Sequence, residues 1–171
     1  MGFFFASILI QKHGILVLLG PMFRIAFHPD YILDLPKGHR FPMEKYELLP
    51  QQLLLEGTVE ENQFFAPGPC PDQWLKHCHD PNYLNKLRSL SLNPKEVRKS
   101  GFPQSRALMD REWMIMEGSR KGVDYALKDG IAFNIAGGTH HAGPSRAEGF
   151  CLLNDLAIAA CYGIHGLGMK Q

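Results

Sequence analysis

The sequence lacks an excess of charge of either sign, and it lacks any apolar stretch long enough to cross a membrane. Lysine and arginine total 18, aspartate and glutamate total 17, and the formal net charge is +1 at pH 7. This balance gives no electrostatic reason to expect nucleic-acid binding or a polybasic membrane patch. The two apolar runs near the start, GFFFASILI and GILVLLGPM, are each too short to span a bilayer, so no membrane partner is expected.

Cysteine is scarce, and its spacing excludes two common roles. The four cysteines are Cys70, Cys78, Cys151 and Cys161, and no two of them form a C-x-x-C pair. This scattered spacing is not that of a zinc knuckle, and it suits reduced thiols better than a disulfide framework. The expected compartment is therefore the cytoplasm.

The first 21 residues do not have the order of a secretory signal. A signal begins with basic residues and ends in a small-residue cleavage site, whereas the only early charge, Lys12, lies between the two apolar runs. We interpret residues 1–21 as an apolar extension upstream of the true start of the domain, with a cleaved signal or anchor as the alternative. Residues 22–171 then hold the folded part, and a chain of 171 residues with 45% apolar content predicts a single core.

Hydrophobic periodicity and turn residues predict alternating strands and helices, with no internal repeat. The elements predicted in the first part of the chain are a strand at 23–27, a helix at 42–57 broken in two by Pro50, a short helix at 73–77, a helix capped by Asp80 with Leu90 on its apolar face, and a helix at 105–129. Small residues on one stripe of the last helix indicate close packing on a sheet.

The run Ile131–Ala136 predicts the central strand of a parallel sheet. It is nearly all apolar and β-rich, and Gly137 and Gly138 end it. The following segment NDLAIAACYG, residues 154–163, is apolar on every side and predicts a fully buried helix capped by Asn154. The fold class is therefore α/β. Ligands of such sheets bind at the carboxyl ends of the strands, where the loop between this strand and this helix lies.

That loop carries His140 and His141 side by side. Adjacent histidines seldom share one metal ion, because H-x-H on a strand or H-x-x-x-H on a helix is the spacing that aims two rings at one point. Adjacent rings suit proton handling, in which one imidazole accepts a proton from water while its neighbour stabilises developing charge. The pair is predicted to titrate as a coupled unit. The alternative is that the ring is a hydrogen-bonded histidine of the core. This alternative is the better explanation for a single histidine, and it is much weaker for two adjacent ones.

Three segments together resemble the histone deacetylase family. The segment AFNIAGGTHHAGPSRAEGFCLLNDLAIAA is similar to that family's active-site segment, and GHRFPMEKYELL and HDPNYLNKLRSLSL are similar to two earlier ones. The resemblance covers roughly residues 22–162 and is closest to the bacterial branch beside the class IV enzymes. It implies a three-layer, arginase-like α/β fold with a parallel sheet flanked by helices. Residues 22–171 are expected to form an incomplete, N-terminal portion of that fold.

The resemblance also implies roles for individual residues. It makes His140 and His141 the tandem catalytic histidines, with His141 as the main general base or acid and His140 as its electrostatic partner. It makes Gly149 and Phe150 the lining of a tunnel for the acylated lysine chain. It places Arg40 near an inner cavity that receives the released acyl group. Simple core packing remains the alternative for Phe150, and a surface ion pair remains the alternative for Arg40.

The zinc ligands that the resemblance implies do not occur in this sequence. Family members bind zinc through an Asp-x-His on the next strand and through a later Asp, and no Asp-x-His occurs in the 171 residues. Asp155 opens the last predicted helix and is expected to act as a cap or helix-dipole partner. We therefore expect zinc in the complete enzyme, with its ligands absent from this chain.

The chain alone is predicted to be inactive, because zinc contributes more to the rate of hydrolysis than the histidines can. Zinc lowers the pKa of bound water from about 15.7 to about 7, which is roughly 12 kcal/mol of nucleophile activation. A positioned general base contributes only about 10²- to 10⁴-fold in rate. The expected molecule is a truncated, inactive fragment of an enzyme that hydrolyses the amide of an acylated lysine or of an acetylated small amine.

Two other functions stay open. A Cys-His hydrolase would use Cys151 as its nucleophile, and a non-catalytic interaction fragment would bind a partner through the unpaired edge of its sheet. The pair His77-x-His79 with Cys78 has a faint metal-like pattern, but it straddles a helix end where Asp80 is better explained as a cap. An incomplete parallel sheet also predicts marginal stability.

Overall fold

The structure is a computed structural model that describes residues 7–10, 16–19 and 23–170. Its helices are α1 Lys45–Leu55, α2 Asp72–Cys78, α3 Pro81–Arg88, α4 Pro94–Ser100, α5 Arg106–Asp129 and α6 Asp155–Cys161. Its strands are β1 Ser7–Ile10, β2 Leu16–Leu19, β3 Arg24–Ala26, β4 Phe64–Phe65 and β5 Ala132–Asn134. Short 3-10 turns lie at Pro29–Tyr31 and Glu61–Gln63.

The main sheet has three parallel strands in the order β4-β3-β5. Ile25 of β3 is paired with Phe64 of β4 on one side and with Phe133 of β5 on the other. α5 packs on one face of the sheet. α1 borders the other face, where Leu49 and Leu53 line a cavity of about 330 Å³ together with Ile25 and Phe133. The predicted α/β fold, with a parallel sheet between helices, is confirmed.

Within the described part of the chain β5 lies at an edge of the sheet, which corrects the prediction that residues 131–136 form the central strand. Among the described residues its only partner is β3, and the side chain of Phe133 is 49% exposed. The strand itself covers only Ala132–Asn134. An apolar run has the composition of a strand covered on both faces, but composition does not determine how many neighbours a strand pairs with.

α1 runs unbroken through Pro50, so the predicted division of this helix into two pieces is wrong. The helix spans Lys45–Leu55 and buries Tyr46 and Pro50. Proline removes one backbone donor, whose acceptor would be the carbonyl of Tyr46 four residues earlier. Burial of both side chains in the core offsets that loss, so the helix continues to Leu55.

α5 is the longest element and packs directly on the sheet. Ser105 caps its first turn and Gly130 ends it with φ +90°, which confirms the helix predicted at 105–129. On the side that faces the sheet, a Cβ added at Gly118 would lie only 3.0 Å from the Cβ of Ala26 in β3. The absent side chain therefore allows the close approach of helix and sheet that the small residues predict.

α3 begins at the predicted cap but ends earlier than its apolar pattern indicates. Asp80 accepts hydrogen bonds from the N–H groups of Asn82 and Tyr83 at 2.8 and 3.2 Å and so caps the helix. Leu90, predicted on the apolar face, instead lies beyond the helix end with φ +54° and is 38% exposed. The hydroxyl of Ser89 donates to a carbonyl of the last turn at 2.7 Å, which competes with continuation of the helix.

α6 is only partly buried, which corrects the prediction of a fully buried helix at 154–163. Asn154 caps it as predicted, and Ile158 is fully buried, but Leu156 is 54% exposed. The helix ends at Cys161 and passes into a π-helical turn. An apolar composition predicts burial on every side, whereas α5 and α2 cover only part of the circumference of α6.

Strands β1 and β2 pair in an antiparallel arrangement, with Ser7 opposite Leu19. The other residues of the extension predicted at 1–21 lie outside the described residues. Strand β3 confirms the short strand predicted at 23–27. No helix among the described residues has both the length and the apolar character needed to cross a membrane.

Candidate active site

The histidine loop, residues 137–141, follows the carboxyl end of β5 and places two imidazole rings together. The ring centroids of His140 and His141 are 4.3 Å apart, and the ring planes are inclined by 38°. Both residues are exposed. Because both rings are exposed, protonating either of them does not incur the free-energy cost of burying a cation. The structure therefore brings the two predicted catalytic histidines together in contact with solvent.

A hydrogen bond fixes the tautomer of His140. Its Nδ1 lies 2.9 Å from the carbonyl oxygen of Gly138. A carbonyl oxygen only accepts, so Nδ1 carries the proton, and Nε2 of the neutral ring is left as the acceptor. Gly138 has φ +89°, a backbone conformation that glycine adopts without steric cost, and this conformation turns the chain into the histidine pair.

The buried carboxylate of Asp155 holds the histidine loop. It accepts from the N–H groups of Gly138 and Thr139 at 3.0 and 2.7 Å. It also accepts from the hydroxyls of Thr139 and Ser119 at 2.8 and 2.6 Å. Asp155 begins α6, where a helix cap or dipole partner is predicted, but its side chain is directed to the loop. Four hydrogen bonds to one charged group order the backbone that carries the histidines.

Asn154 and His79 support the loop from the start of α6. The side-chain amide of Asn154 donates to the carbonyls of Ala142 and His140 at 3.1 and 3.4 Å. Its backbone N–H donates to Nε2 of His79 at 3.0 Å. Burial lowers the pKa of His79, which keeps this ring neutral and able to accept that hydrogen bond.

Gly149 and Phe150 form a corner of the backbone beside the histidines. Their φ angles are +58° and +65°, and the second value carries a steric cost because Phe150 has a Cβ. Their N–H groups donate to the carbonyls of Lys99 and Ser100 at the end of α4, at 3.2 and 3.0 Å, which holds the corner in place. The ring of His141 packs on this corner, with its Cδ2 3.5 Å from the point that a Cβ of Gly149 would occupy.

The ring of Phe150 belongs to an aromatic cluster that Arg40 borders. Its centroid lies 5.1 Å from that of Phe41 and 5.4 Å from that of Phe102. A Cβ at Gly101 would lie 2.7 Å from the Phe150 ring, so only glycine fits there. The guanidinium of Arg40 is 5.9 Å from the ring centroid, and within residues 23–170 it makes no ion pair. Arg40 and Phe150 therefore share one aromatic cluster, and of the predicted binding residues it is Gly149 that contacts His141.

The described residues do not form a metal site. No group of three or more histidine, cysteine, aspartate or glutamate side chains among residues 23–170 is arranged to hold a metal ion. His77 and His79 do not face a common point, because His77 is exposed and stacks on His165 at 4.9 Å whereas His79 is buried. The residues present therefore do not fit the zinc ion that the family resemblance implies.

Cys151, the nucleophile of the alternative Cys-His hydrolase, is buried beside the histidine loop. Its Sγ lies 3.5 Å from the carbonyl oxygen of Gly149, to which it donates. Burial raises the pKa of the thiol, so it stays protonated at neutral pH. A buried, protonated thiol is a poor nucleophile, and the geometry lends this alternative no support.

Two supporting residues, Asp155 and His79, have no local sequence signal for their roles. Asp155 binds Ser119, 36 residues earlier, and His79 binds Asn154, 75 residues later. Periodicity and capping patterns span only a few turns, so they predict where a helix starts and not what its first side chains contact. These pairings form only when α2, α5 and α6 pack together.

Comparison with known proteins identifies relatives of this arrangement. Residues 39–170 match the sequence profile of the histone deacetylase domain. An uncharacterized protein of Picosynechococcus sp. is 42% identical over 137 residues, which covers 80% of this chain and 46% of that protein. The acetoin utilization protein AcuC of Staphylococcus xylosus is 27% identical over 134 residues, which covers 72% of this chain and 35% of that protein. The chain spans less than half the length of these relatives.

A solved structure shares the fold. The crystal structure of an HDAC homolog complexed with SAHA aligns with a TM-score of 0.72 at 28% sequence identity. The alignment covers 87% of this chain and 42% of that chain. The parallel sheet and its flanking helices therefore have the arrangement found in the matching part of that homolog.

Proposed function

The chain belongs to the histone deacetylase family, and from that membership we propose that it contributes the proton-handling side of a site that hydrolyses the amide of an acylated amine. The observation that carries the proposal is the histidine pair, two exposed imidazoles with centroids 4.3 Å apart. Asp155 and Asn154 hold the loop that presents them. Such an arrangement supports general acid-base chemistry at one point in space.

In the proposed reaction His141 moves the proton. As general base it accepts a proton from the attacking water, and as general acid it returns that proton to the leaving amine. His140 is the electrostatic partner, because its Nδ1 is held by the carbonyl of Gly138 while its ring lies against that of His141. A proton on its Nε2 places positive charge where the oxyanion develops.

We assign substrate binding to the corner at Gly149 and Phe150 and to Arg40. Gly149 has no side chain to obstruct an extended alkyl chain, and the Phe150 ring supplies an apolar wall. The guanidinium of Arg40, 5.9 Å from the centroid of that ring, supplies a cation for the carboxylate released from the acyl group. The proposed substrates are an acylated lysine of a protein or an acetylated small amine.

We further propose that the complete site depends on zinc and that the zinc ligands lie outside the described residues. Family membership supports the zinc dependence. Residues 23–170 do not fit the ion. The consequence is that the 171-residue chain, assayed by itself, is an inactive fragment of the proposed enzyme.

The inactivity is tested with the purified 171-residue chain and an acetyl-lysine peptide, with and without added zinc. We expect no acetate release above that of a protein-free control. Turnover that requires zinc and that a chelator abolishes would refute the proposal that the ligands lie elsewhere. Assays of several independent preparations separate slow turnover from a contaminant, because the amount of a contaminant varies between preparations.

The role of the histidines is tested in a chimera in which residues 23–170 replace the matching part of the solved HDAC homolog. His141→Ala is expected to lower kcat by about 10²- to 10⁴-fold, the range for a positioned general base. His165→Ala, the same change at an exposed ring outside the histidine loop, is the matched control. Equal activity of the two variants in an active chimera would contradict the role of His141.

A second candidate function, a non-catalytic binding fragment, is favoured by the open edge of β5. Leu127, Phe133 and Leu156 are each about half exposed, and a groove of about 340 Å³ runs beside the strand. An edge strand can pair with a strand of another chain. In that function, a complex would slow amide hydrogen exchange at Ala132–Asn134, and it would form equally well with His141→Ala. Loss of binding in that variant would contradict it.

We also propose a cytoplasmic location, with no nucleic-acid or membrane partner. All four cysteines are free thiols, which suits a reducing compartment. Positive and negative side chains number 18 and 17, and this balance supports the proposal because it supplies no overall attraction to nucleic acid or anionic lipid. Fractionation of cells that express a tagged chain checks the location.

A further inference from the structure

Two of the four thiols lie together where α2 meets α6. The Sγ of Cys78, the last residue of α2, is 3.1 Å from the Sγ of Cys161, the last residue of α6. Both residues are half-buried, whereas Cys70 and Cys151 are buried and donate to backbone carbonyls. A disulfide needs its sulfurs about 2.05 Å apart, so this pair closes with a shift of about 1 Å.

Aromatic contacts hold the two helix ends at this distance. Trp74 of α2 packs edge-on against Tyr162, with ring centroids 5.0 Å apart. His77 stacks on His165 at 4.9 Å, with planes only 7° apart. These contacts lie next to the cysteines along both segments. The close approach of the sulfurs therefore belongs to a packed junction and not to two unrestrained surface side chains.

The hydrogen bond between the thiols distinguishes their roles. The thiol of Cys78 donates to the sulfur of Cys161. Burial, together with this hydrogen bond, raises the pKa of Cys78 to about 12. Cys78 therefore keeps its proton at neutral pH. The sulfur that receives the hydrogen bond, that of Cys161, is therefore assigned the first attack on an oxidant.

We propose that Cys78 and Cys161 form a reversible disulfide that ties α2 to α6 when the protein meets a hydroperoxide. The thiol of Cys161 gives up its proton and its sulfur attacks a peroxide oxygen; the O–O bond breaks, a sulfenic acid forms, and the leaving oxygen takes up a proton as alcohol or water. The sulfur of Cys78 then loses its proton and attacks the Cys161 sulfur, which releases one water. Two thiols lose two electrons, one hydroperoxide gains them, and a dithiol reductant reverses the change.

The disulfide would connect the two helices that support the histidine loop. α6 begins at Asp155, whose carboxylate binds that loop, and α2 is followed by His79, which accepts from Asn154. A covalent link between the ends of α2 and α6 joins both supports. The inference rests on the thiols alone and does not depend on the proposed deacetylase activity.

The test uses the whole 171-residue chain, reduced, freed of reductant and treated with a small excess of hydrogen peroxide. The thiol count under denaturing conditions is expected to fall from four to two, and a dithiol is expected to restore it. Cleavage before aspartate separates all four cysteines, because Asp72, Asp80, Asp129 and Asp155 lie between them. Under nonreducing conditions the expected product is peptide 72–79 linked to peptide 155–171.

Serine variants identify the two sulfurs. Cys78→Ser and Cys161→Ser are each expected to abolish the linked peptide, and Cys70→Ser, the matched control, is expected to retain it. Circular dichroism checks the fold of each variant, and the peptide map of the unsubstituted chain decides the question even where a variant fails to fold. Four free thiols after peroxide, a link to Cys70 or Cys151, or a link that persists in Cys161→Ser would overturn the proposal.

Discussion

At the scale of single residues, the histidine loop depends on the buried carboxylate of Asp155. Donors from Gly138, Thr139 and Ser119 converge on it at 2.6 to 3.0 Å. A buried carboxylate is tolerated because hydrogen bonds compensate its charge. Removing it leaves the same donors without an acceptor, and a buried unsatisfied donor costs more than a hydrogen bond contributes. Asp155 therefore holds the backbone of the histidine loop in place.

Asp155→Ala is expected to lower the free energy of unfolding by about 2–4 kcal/mol, because several buried donors lose their acceptor. The matched control is Asp110→Ala, which removes an exposed carboxylate that pairs with Arg106 at 3.2 Å. That change is expected to cost less than about 1 kcal/mol. Urea unfolding followed by circular dichroism measures both variants. Equal losses would contradict the role assigned to Asp155.

His79 makes stability depend on pH in the mildly acidic range. Burial lowers its pKa below the ordinary value of 6.5. The unfolded chain then binds a proton more readily than the folded chain does. Stability from this group is complete above pH 6.5, and it is lost as the pH falls toward the folded-state pKa, by up to about 1.4 kcal/mol per pH unit.

His79→Gln is expected to flatten that dependence, because glutamine does not titrate. Urea unfolding at pH 7.5, 6.5 and 5.5 gives the slope of the unfolding free energy for both proteins. The carboxylates contribute equally to both slopes, so the difference between them isolates His79. Parallel slopes would show that this ring is not held neutral by the fold.

At the scale of elements, α5 approaches the sheet through two glycines with different surroundings. A Cβ at Gly118 would lie 2.7 Å from the hydroxyl of Tyr31 and 2.8 Å from the amide nitrogen of Asn134. A Cβ at Gly122 would meet only the Cβ of Ala132, at 3.9 Å. Both positions lie inside a helix, where glycine is less favourable than alanine. The same glycine-to-alanine change at the two positions therefore separates the effect of packing from that of helix propensity.

Gly118→Ala is expected to destabilise the protein by about 1–3 kcal/mol, because the added methyl forces α5 away from β3 and β5. Gly122→Ala is expected to stabilise it by about 0.5–1 kcal/mol through helix propensity alone. Thermal and urea unfolding of the two variants measure the difference. A change of the same sign in both would contradict the close contact at Gly118.

At the scale of the whole molecule, the sheet ends in an apolar edge. Among the described residues, β5 pairs with β3 alone, and Phe133 on β5 is 49% exposed. An exposed edge strand offers unpaired N–H and C=O groups to any other strand, and nearby apolar side chains add to the attraction. The edge is therefore the part of the surface where self-association is expected to begin.

Phe133→Lys is expected to reduce concentration-dependent self-association, because edge charges oppose strand pairing. Leu55→Lys makes the same change at a leucine that is 82% exposed on α1, and it is expected to have a smaller effect. Sedimentation velocity over a range of concentrations measures the oligomers of both variants and of the unsubstituted chain. A monomeric unsubstituted chain at every concentration would contradict the expectation, as would equal oligomer fractions in the two variants.

The sequence by itself determined the features that depend on residues close together in the chain. The caps at Asp80 and Asn154 are in the structure as predicted, and the helix predicted at 105–129 is there as α5. Capping, turn formation and periodicity each need only a few consecutive residues, so these features are visible without coordinates. The family motif around the histidine pair is local in the same sense.

Only the tertiary structure decided how those features meet. It keeps Pro50 inside a helix, places β5 at an edge, leaves Leu156 exposed and directs Asp155 to the histidine loop. Each outcome depends on partners far away in the chain, as with Asp155 and Ser119, which are 36 residues apart. Packing and buried hydrogen bonds between elements supply the free energy that chooses among local conformations, and no short stretch of sequence contains both partners.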